Sequence, residues 1–314
     1  MIQKRTVGIL GAGKVGMAAA YGMFNADTVS EMILVDKDEQ RAEGEAMDLM
    51  HGASLAEPVT VRSGSFASLG SSQLVVVSAG TGRKPGETRL DLLNRNVAIF
   101  REIVAELDRH APNAILVVAT NPVDIITHVI QQLSQRPRSR VIGTGTMLDT
   151  SRFRALLGQH YGVDPRSVHA YILGEHGDSE VPIWSNASIG GLRLRERPVL
   201  GKSFDEGAMN ALFERVRFAG REVIARKGFT SSAIGIVIQH LCETILDDQR
   251  TVLTVSVPFE GEYGIEGVCM SLPCVVGQNG IEGRIVATLS DEETVAMRHS
   301  ASVIKESMQG ISLA

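Results

Sequence analysis

The first half of the chain alternates short apolar runs with longer segments in which apolar residues recur at helical spacing. The apolar runs are TVGIL (6–10), EMILVD (31–36), QLVVVSAG (73–80), AILVVATNP (114–122) and RVIGTG (140–145). Strands that are almost continuously rich in Val, Ile and Leu are typical of a parallel sheet covered on both faces. Since the intervening segments predict helices, this half is expected to form a doubly wound α/β fold.

The regular alternation of strands and helices ends near residue 145. Helices are predicted over 150–162, from about Phe204 to Ala225, from about Ser231 to Leu246, and after Ser290. The segment 251–289 predicts antiparallel strands separated by glycine turns. The chain is therefore expected to contain two domains, residues 1–145 and an α+β domain of residues 146–314.

Composition and charge narrow the class of protein. A net charge of −5 over 314 residues lacks the basic excess of a nucleic-acid-binding protein, so no nucleic-acid partner is expected. No run approaches the roughly 20 apolar residues of a membrane span, and no basic run indicates a membrane surface. The amino terminus runs directly into a strand pattern, so no signal peptide is expected. The 3 cysteines lack metal-type spacing, which predicts reduced thiols, a cytoplasmic location and no metal site.

The motif GAGKVG follows the first predicted strand and opens the first predicted helix. Its glycines permit a tight turn, close approach of a pyrophosphate and close packing of helix on strand. Asp36 ends the next strand, at the place where an acid binds the ribose hydroxyls, and disfavours the 2′-phosphate of NADP. A purely structural turn with a helix-capping Asp is the alternative. The cofactor is expected to be NAD, on a Rossmann fold, with contacts from Gly11, Gly13, Lys14, Val15, Gly16, Asp36 and Gly80.

Candidate catalytic and binding residues stand in three separate motifs. GEHGDSE holds His176 among glycines, and LDTSRFR supplies Asp149 and Arg152 at a predicted helix start. TNPVD places Asn121 at the carboxyl end of a strand, where ligands of such sheets bind. Taken singly, a histidine of this kind is often structural and an aspartate at a helix start is often only an N-cap.

Together these motifs resemble one family, the NAD-dependent L-lactate and L-malate dehydrogenases. The resemblance covers nearly the whole chain, in matching order, through GAGKVG, PGETR, NPVD, LDTSRFR, GEHGDSE, KGFTSSAIG and LPCVVGQNGI. It implies reversible hydride transfer between NADH and a small 2-oxo acid. A catalytically silent NAD-binding protein would lack at least one residue of the catalytic set, and all of them are present in this sequence.

The resemblance assigns roles to matching positions. His176 is expected to be the general acid–base, and Asp149 to hold its imidazole in the right tautomer. Arg152 is expected to bind the substrate carboxylate with two parallel hydrogen bonds. Arg89 is expected to polarise the reacting carbonyl as charge grows on its oxygen.

The resemblance also implies a mobile lid over residues 81–90, whose closure excludes water and brings Arg89 into the site. Gly80, with the glycines inside this segment, offers points of flexibility. Asn121 is expected near the nicotinamide and substrate, and Thr230 in the wall of the substrate pocket.

Arg83 stands in the lid at the position that faces the variable end of the substrate in this family. Lactate enzymes commonly carry Gln there and malate enzymes Arg. An Arg pairs with the second carboxylate of oxaloacetate, whereas a guanidinium buried without a partner costs about 3–5 kcal/mol. At about 1.4 kcal/mol per tenfold, this is two to three or more decades of preference. Malate is therefore expected to be favoured over lactate, although GEHGDSE, KGFTSSAIG and LPCVVGQNGI resemble lactate enzymes more closely. An enzyme for bulkier 2-oxo acids would carry an apolar residue there.

Assembly and regulation follow from the same resemblance. The family predicts a homotetramer, with a dimer as the alternative. Arg154 and His169 match positions that bind fructose 1,6-bisphosphate in some bacterial members. The same pair occurs in members that ignore this effector, so interface residues are the alternative interpretation.

Overall fold

The computed structural model describes residues 5–81, residue 86 and residues 89–311, with Arg89 described in its backbone only. The strands are β1 (Thr6–Leu10), β2 (Glu31–Val35), β3 (Thr60–Ser63), β4 (Leu74–Val77), β5 (Ile115–Val118), β6 (Val141–Gly143), β7 (Val168–His169), β8 (Ile172–Leu173), β9 (Val181–Pro182), β10 (Ser188–Ile189), β11 (Leu192–Arg193), β12 (Thr251–Glu260), β13 (Glu266–Gly277) and β14 (Gly280–Arg284). The helices are α1 (Lys14–Phe24), α2 (Glu39–His51), α3 (Arg89–His110), α4 (Val123–Leu133), α5 (Met147–Tyr161), α6 (Glu206–Lys227), α7 (Ser232–Leu246) and α8 (Asp291–Met308).

The main sheet has nine strands in the order β14-β13-β12-β6-β5-β4-β1-β2-β3. Strands β1 to β6 are parallel, and the direction in which the chain adds strands reverses between β1 and β4. Ligands of open α/β sheets bind at such a reversal, outside the carboxyl ends of the strands. The predicted fold class, a doubly wound parallel sheet followed by an α+β part, is confirmed.

Burial explains why the apolar runs form these strands. Every residue of β1, β2, β4, β5 and β6 is buried, which favours apolar side chains on both faces of the sheet. The buried polar residues Thr6 and Glu31 are hydrogen-bonded to each other. Strand β3 was missing from the prediction because it is an edge strand in which exposed residues flank the buried Val61. Its sequence TVRS therefore lacks the apolar run that marks the other parallel strands.

The second half is built from α6, α7, the antiparallel strands β12–β14 and α8, as the sequence predicted. Helix α6 starts two residues later than predicted because the Asp205 side chain accepts a hydrogen bond from the backbone N–H of Ala208. It ends at Lys227, and the C-cap residue that follows, Gly228, has a φ of 81°, which suits glycine. A capping box between Ser290 and Glu293 begins α8.

Two groups of buried side chains hold the molecule together. The larger group lies around the nine-stranded sheet, and the smaller one packs α5 and α6 against β7, β8 and β10. Phe153 and Trp184 meet edge to face in the smaller group, with ring centroids 4.8 Å apart. Pairing of Gly143 with Ser256 continues the main sheet from β6 into β12, across the predicted boundary. The division into two domains near residue 145 stays a prediction.

The three cysteines are free and buried, as expected for core thiols. Burial raises the pKa of Cys242 and of Cys274 to about 12, so these thiols stay protonated at neutral pH. Within the described part of the chain, every helix is too short or too polar to cross a membrane.

Candidate active site

The site begins at the carboxyl ends of β1, β4 and β5, where the strand order reverses. Hydrogen bonds from side-chain hydroxyls to backbone carbonyl oxygens tie the loops after these strands together. The Ser78 hydroxyl donates to the Gly11 carbonyl oxygen at 3.0 Å, and the Thr120 hydroxyl donates to the Ala79 carbonyl oxygen at 2.6 Å. The loop that follows each strand is therefore held against its neighbour along one edge of a crevice.

The three glycines of GAGKVG meet different requirements. Gly11 has a φ of +103°, and a Cβ there would lie 2.7 Å from the Ala79 backbone nitrogen. A Cβ on Gly16 would lie 2.0 Å from the Gly11 carbonyl oxygen, so only glycine lets α1 pack this closely. A Cβ on Gly13 would meet no described atom within 4 Å. Gly13 thus borders open space, which is where a pyrophosphate would approach the backbone.

The amino end of α1 suits a phosphate group. Its N-cap residue, Gly13, provides no side-chain hydrogen bond, so the first N–H groups of the helix remain for a ligand. The Asp36 carboxylate accepts from the backbone N–H of Ala12 at 2.7 Å, which fixes it beside the glycine turn. The Lys14 ammonium lies 3.6 Å from the ring centroid of Phe229, in the KGFT segment. Phe229 therefore joins the cofactor end to the segment that carries Thr230.

We expect Gly13→Ala to weaken NADH binding by about tenfold or more while the fold keeps its stability. The φ of −89° is open to alanine, but the new methyl group would occupy the space beside the helix amino end. Fluorescence titration with NADH and thermal unfolding would measure the two effects. Gly16→Ala is the matched control, and it should lose stability as well because its methyl group would meet the Gly11 carbonyl oxygen. Unchanged NADH affinity in Gly13→Ala would contradict this assignment.

Asp149, in the first turn of α5, binds two cationic side chains at once. One carboxylate oxygen lies 2.5 Å from His176 Nδ1, and the other accepts from Arg152 Nη1 at 2.8 Å. Asp149 is only 3% exposed. With Nδ1 engaged, Nε2 is the imidazole nitrogen available to a substrate.

These contacts set the charges of the pair. The Asp149 charge outweighs burial and raises the pKa of His176 to about 9. Burial alone would raise the pKa of Asp149, but His176 and Arg152 together hold it below its ordinary value. At neutral pH the imidazole is therefore protonated and the carboxylate ionised, which makes His176 a proton donor.

A cleft of about 280 Å³ opens beside this pair. It brings together six residues predicted for the catalytic, substrate and cofactor sites: Val15, Asn121, Asp149, Arg152, His176 and Thr230. Helix α6 contributes Arg217, Gly220, Arg221 and Ile224, which sequence reasoning missed. Arg221 pairs with Asp178, two residues after His176, and so links α6 to the histidine loop.

Two buried carboxyl groups near His176 were also missed. Asp124, at the start of α4, accepts from the backbone N–H of His176 at 2.7 Å. Glu180 lines the cleft at 6% exposure, and burial raises its pKa to about 9, so it is neutral at pH 7. Both stand in motifs already singled out, NPVD and GEHGDSE, but no local pattern marks them as buried.

Comparison with known proteins identifies the family. The model of the lactate/malate dehydrogenase NAD binding domain matches residues 5–143, and that of the lactate/malate dehydrogenase alpha/beta C-terminal domain matches residues 146–312. The chain belongs to the lactate/malate dehydrogenase family. It is an oxidoreductase of that family, and its cofactor is NAD.

Relatives of this dehydrogenase include two bacterial proteins named L-lactate dehydrogenase. That of Salinibacter ruber is 60% identical over 308 residues, covering 98% of each chain. That of Gloeobacter violaceus is 48% identical over 304 residues, covering 96% of this chain and 92% of the relative. The structure of the minor L-lactate dehydrogenase from Enterococcus mundtii, in a ligands-bound form, superposes with a TM-score of 0.95 at 40% identity and 99% coverage of both chains.

The names of these relatives test the prediction, made from Arg83, that malate is the preferred substrate. The expected preference for malate is not supported, because the relatives are named for lactate, and the lactate alternative agrees with them better. Arg83 itself lies outside the described residues. Arg89 is the first residue of α3, and Gly80 precedes the lid segment. The lid and the roles of Arg83 and Arg89 stay predictions.

The dehydrogenase has a second surface cleft of about 280 Å³, which Arg154 lines together with Tyr171 and His240. Arg154 donates to the carbonyl oxygen of Ala170, the residue after His169, at 2.9 Å. His169 is exposed on β7. Three expectations stay predictions. They are a role of Arg154 and His169 in binding a bisphosphate, assembly as a homotetramer or dimer, and a cytoplasmic location. Among the described residues, no group of three or more His, Cys, Asp and Glu side chains could hold a metal ion.

Proposed function

We propose that the protein is an NAD-dependent L-lactate dehydrogenase that reversibly reduces pyruvate to L-lactate. One observation carries this proposal: the buried Asp149 carboxylate binds both His176 and Arg152. In this proposal His176 is the proton donor and Arg152 is the cation that binds the substrate carboxylate. His176 and Arg152 thereby face one cleft beside the cofactor end. The names of the relatives support lactate as the substrate.

Each residue of the set has a task in this reaction. Arg152 keeps N–H groups beyond the one bound to Asp149, and these suit the substrate carboxylate. When bound, NADH supplies a hydride to the carbonyl carbon. His176 transfers its Nε2 proton to the carbonyl oxygen, where negative charge develops, and becomes neutral. Asp149 stabilises the protonated imidazole before the transfer and keeps its ring orientation afterwards.

The cleft favours this proton transfer electrostatically. Arg152 supplies positive charge, and the neutral state of Glu180 avoids placing a second negative charge close to the substrate carboxylate. Arg89, which the resemblance assigns to the carbonyl oxygen, would add a further positive charge when the lid closes. Reversal of the same steps oxidises lactate, with neutral His176 as the base.

Malate dehydrogenase is the second candidate, and Arg83 in the sequence is the feature that favours it. A guanidinium at the variable end of the substrate would pair with the second carboxylate of oxaloacetate. For pyruvate to be the preferred substrate, Arg83 must remain in water, because a buried guanidinium without a partner costs about 3–5 kcal/mol.

We expect the wild-type protein to reduce pyruvate with a higher kcat/KM than oxaloacetate, measured side by side with NADH. Arg83→Gln should shift the ratio further toward pyruvate, by roughly 30-fold to 10³-fold, because it removes the partner of the second carboxylate. Lys84→Gln, which removes a neighbouring positive charge, is the matched control. A wild type that prefers oxaloacetate would favour the malate candidate. An unchanged ratio in Arg83→Gln would exclude a contact between Arg83 and the substrate.

A further inference from the structure

Asp124 joins three parts of the chain that are distant in sequence. It lies in the first turn of α4 and is 2% exposed. One carboxylate oxygen accepts from the backbone N–H of His176 at 2.7 Å, and the other accepts from the Ser256 hydroxyl on β12 at 2.6 Å. Both oxygens of this buried carboxylate therefore have partners, which is what its burial requires.

His176 is consequently held at two points by two carboxylates. Asp149 binds the ring at Nδ1, and Asp124 binds the backbone of the same residue. Loops of this kind, with glycines on either side of the histidine, have little rigidity of their own. The bond to Asp124 supplies the rigidity that the glycine-rich segment lacks.

We propose that Asp124 is a positioning residue for His176, which anchors its backbone and adds a second negative charge near its imidazole. The inference rests on the proposed role of His176 as proton donor. It assigns to the aspartate of NPVD a task in proton transfer, although Asp124 is absent from the residues that line the described cleft.

The charges around Asp124 fix the expected direction of its effects. Burial raises the pKa of Asp124 to about 6, against the lowering effects of the Ser256 hydrogen bond and of His176. Glu175, in the same loop, acts in the raising direction. The thiol of Cys269 on β13 is a further neighbour, and burial, with a smaller effect of the Asp124 charge, raises its pKa well above the ordinary value. Above pH 6 Asp124 is thus ionised, and its charge helps to raise the pKa of His176.

The first test is Asp124→Asn, which keeps an acceptor for the His176 N–H and removes the charge. Pyruvate reduction needs protonated His176, so kcat/KM falls as pH rises through the pKa of His176 in the free enzyme. In Asp124→Asn this alkaline fall should move to lower pH by roughly half a unit to one unit. A purely structural role would lower the rate at every pH and leave the midpoint in place.

A second measurement reads the same pKa without any substrate. Diethyl pyrocarbonate modifies neutral imidazole, so the rate of modification of His176, followed by peptide mass spectrometry, reports its protonation against pH. The midpoint in Asp124→Asn should again lie lower than in the wild type. Because this readout needs no turnover, it tests Asp124 even if pyruvate and oxaloacetate both prove to be poor substrates.

Ser256→Ala provides a milder variant that keeps the carboxylate. Loss of the hydroxyl removes an interaction that lowers the pKa of Asp124, so Asp124 should stay protonated to higher pH. His176 should then react faster than in the wild type near pH 7 and at the same rate at alkaline pH. Ser271→Ala, the residue paired with Ser256 on β13, is the matched control for loss of a buried hydroxyl. Unmoved midpoints in folded Asp124→Asn, or wild-type reactivity of Ser256→Ala near pH 7, would overturn the proposal.

Discussion

His176→Gln should reduce kcat/KM for pyruvate reduction by roughly 10²-fold to 10⁴-fold, the range for loss of a general acid. Gln keeps polarity and similar size but cannot transfer a proton to the carbonyl oxygen. The loss should appear in kcat, because Arg152 and the cofactor contacts that bind the ground state remain. Steady-state rates with NADH and pyruvate measure the effect, and fluorescence titration measures NADH affinity.

The control for this substitution is His51→Gln, at an exposed position in the last turn of α2. It should keep the wild-type rate. The fall in wild-type reduction at alkaline pH should also be absent from His176→Gln, because the group with a pKa of about 9 has been removed. Residual activity that still follows this ionisation would show that another group donates the proton.

Arg152→Lys should lower kcat/KM by roughly 30-fold to 10³-fold, chiefly through a higher KM for pyruvate. Lysine keeps the charge but lacks the planar fork that binds Asp149 with one N–H and leaves others for the substrate. Arg152→Gln should lose more, since it removes the charge as well. NADH affinity should be unchanged in both variants, because Arg152 belongs to the substrate end of the cleft.

The matched control is Arg154→Gln, two residues further along α5. Arg154 bonds to the Ala170 carbonyl oxygen and lines a different cleft, so its loss should leave the KM for pyruvate near the wild-type value. If Arg152→Lys and Arg154→Gln affected that KM equally, Arg152 would have no special part in binding the substrate carboxylate.

Local sequence patterns were sufficient for most of the fold. The buried strands carry continuous apolar runs, and the glycine motif has a fixed spacing, so both can be recognised from neighbouring residues. Strand β3 was not predicted because pairing with β2 on one side only leaves half of it exposed. Its existence depends on a neighbour in space rather than on its own composition.

The candidate site likewise has residues that motifs in the sequence identify and contacts that only the structure shows. His176, Asp149 and Arg152 were chosen from motifs, through their resemblance to a family. His176 and Asp149 are 27 positions apart in the sequence, and their 2.5 Å contact cannot be read from either motif alone. Asp124 was missed because its partner Ser256 lies 132 residues further along the chain.

The sequence by itself therefore determined the fold class and the NAD-binding motif, and it predicted the residues that we propose act on a 2-oxo acid. These depend on residue type and spacing, which are local properties. Only the tertiary structure decided the protonated state of His176, the neutral state of Glu180 and the anchoring of His176 by Asp124. The physical reason is that ionisation depends on burial and on distances to charges, and elements remote in sequence set both.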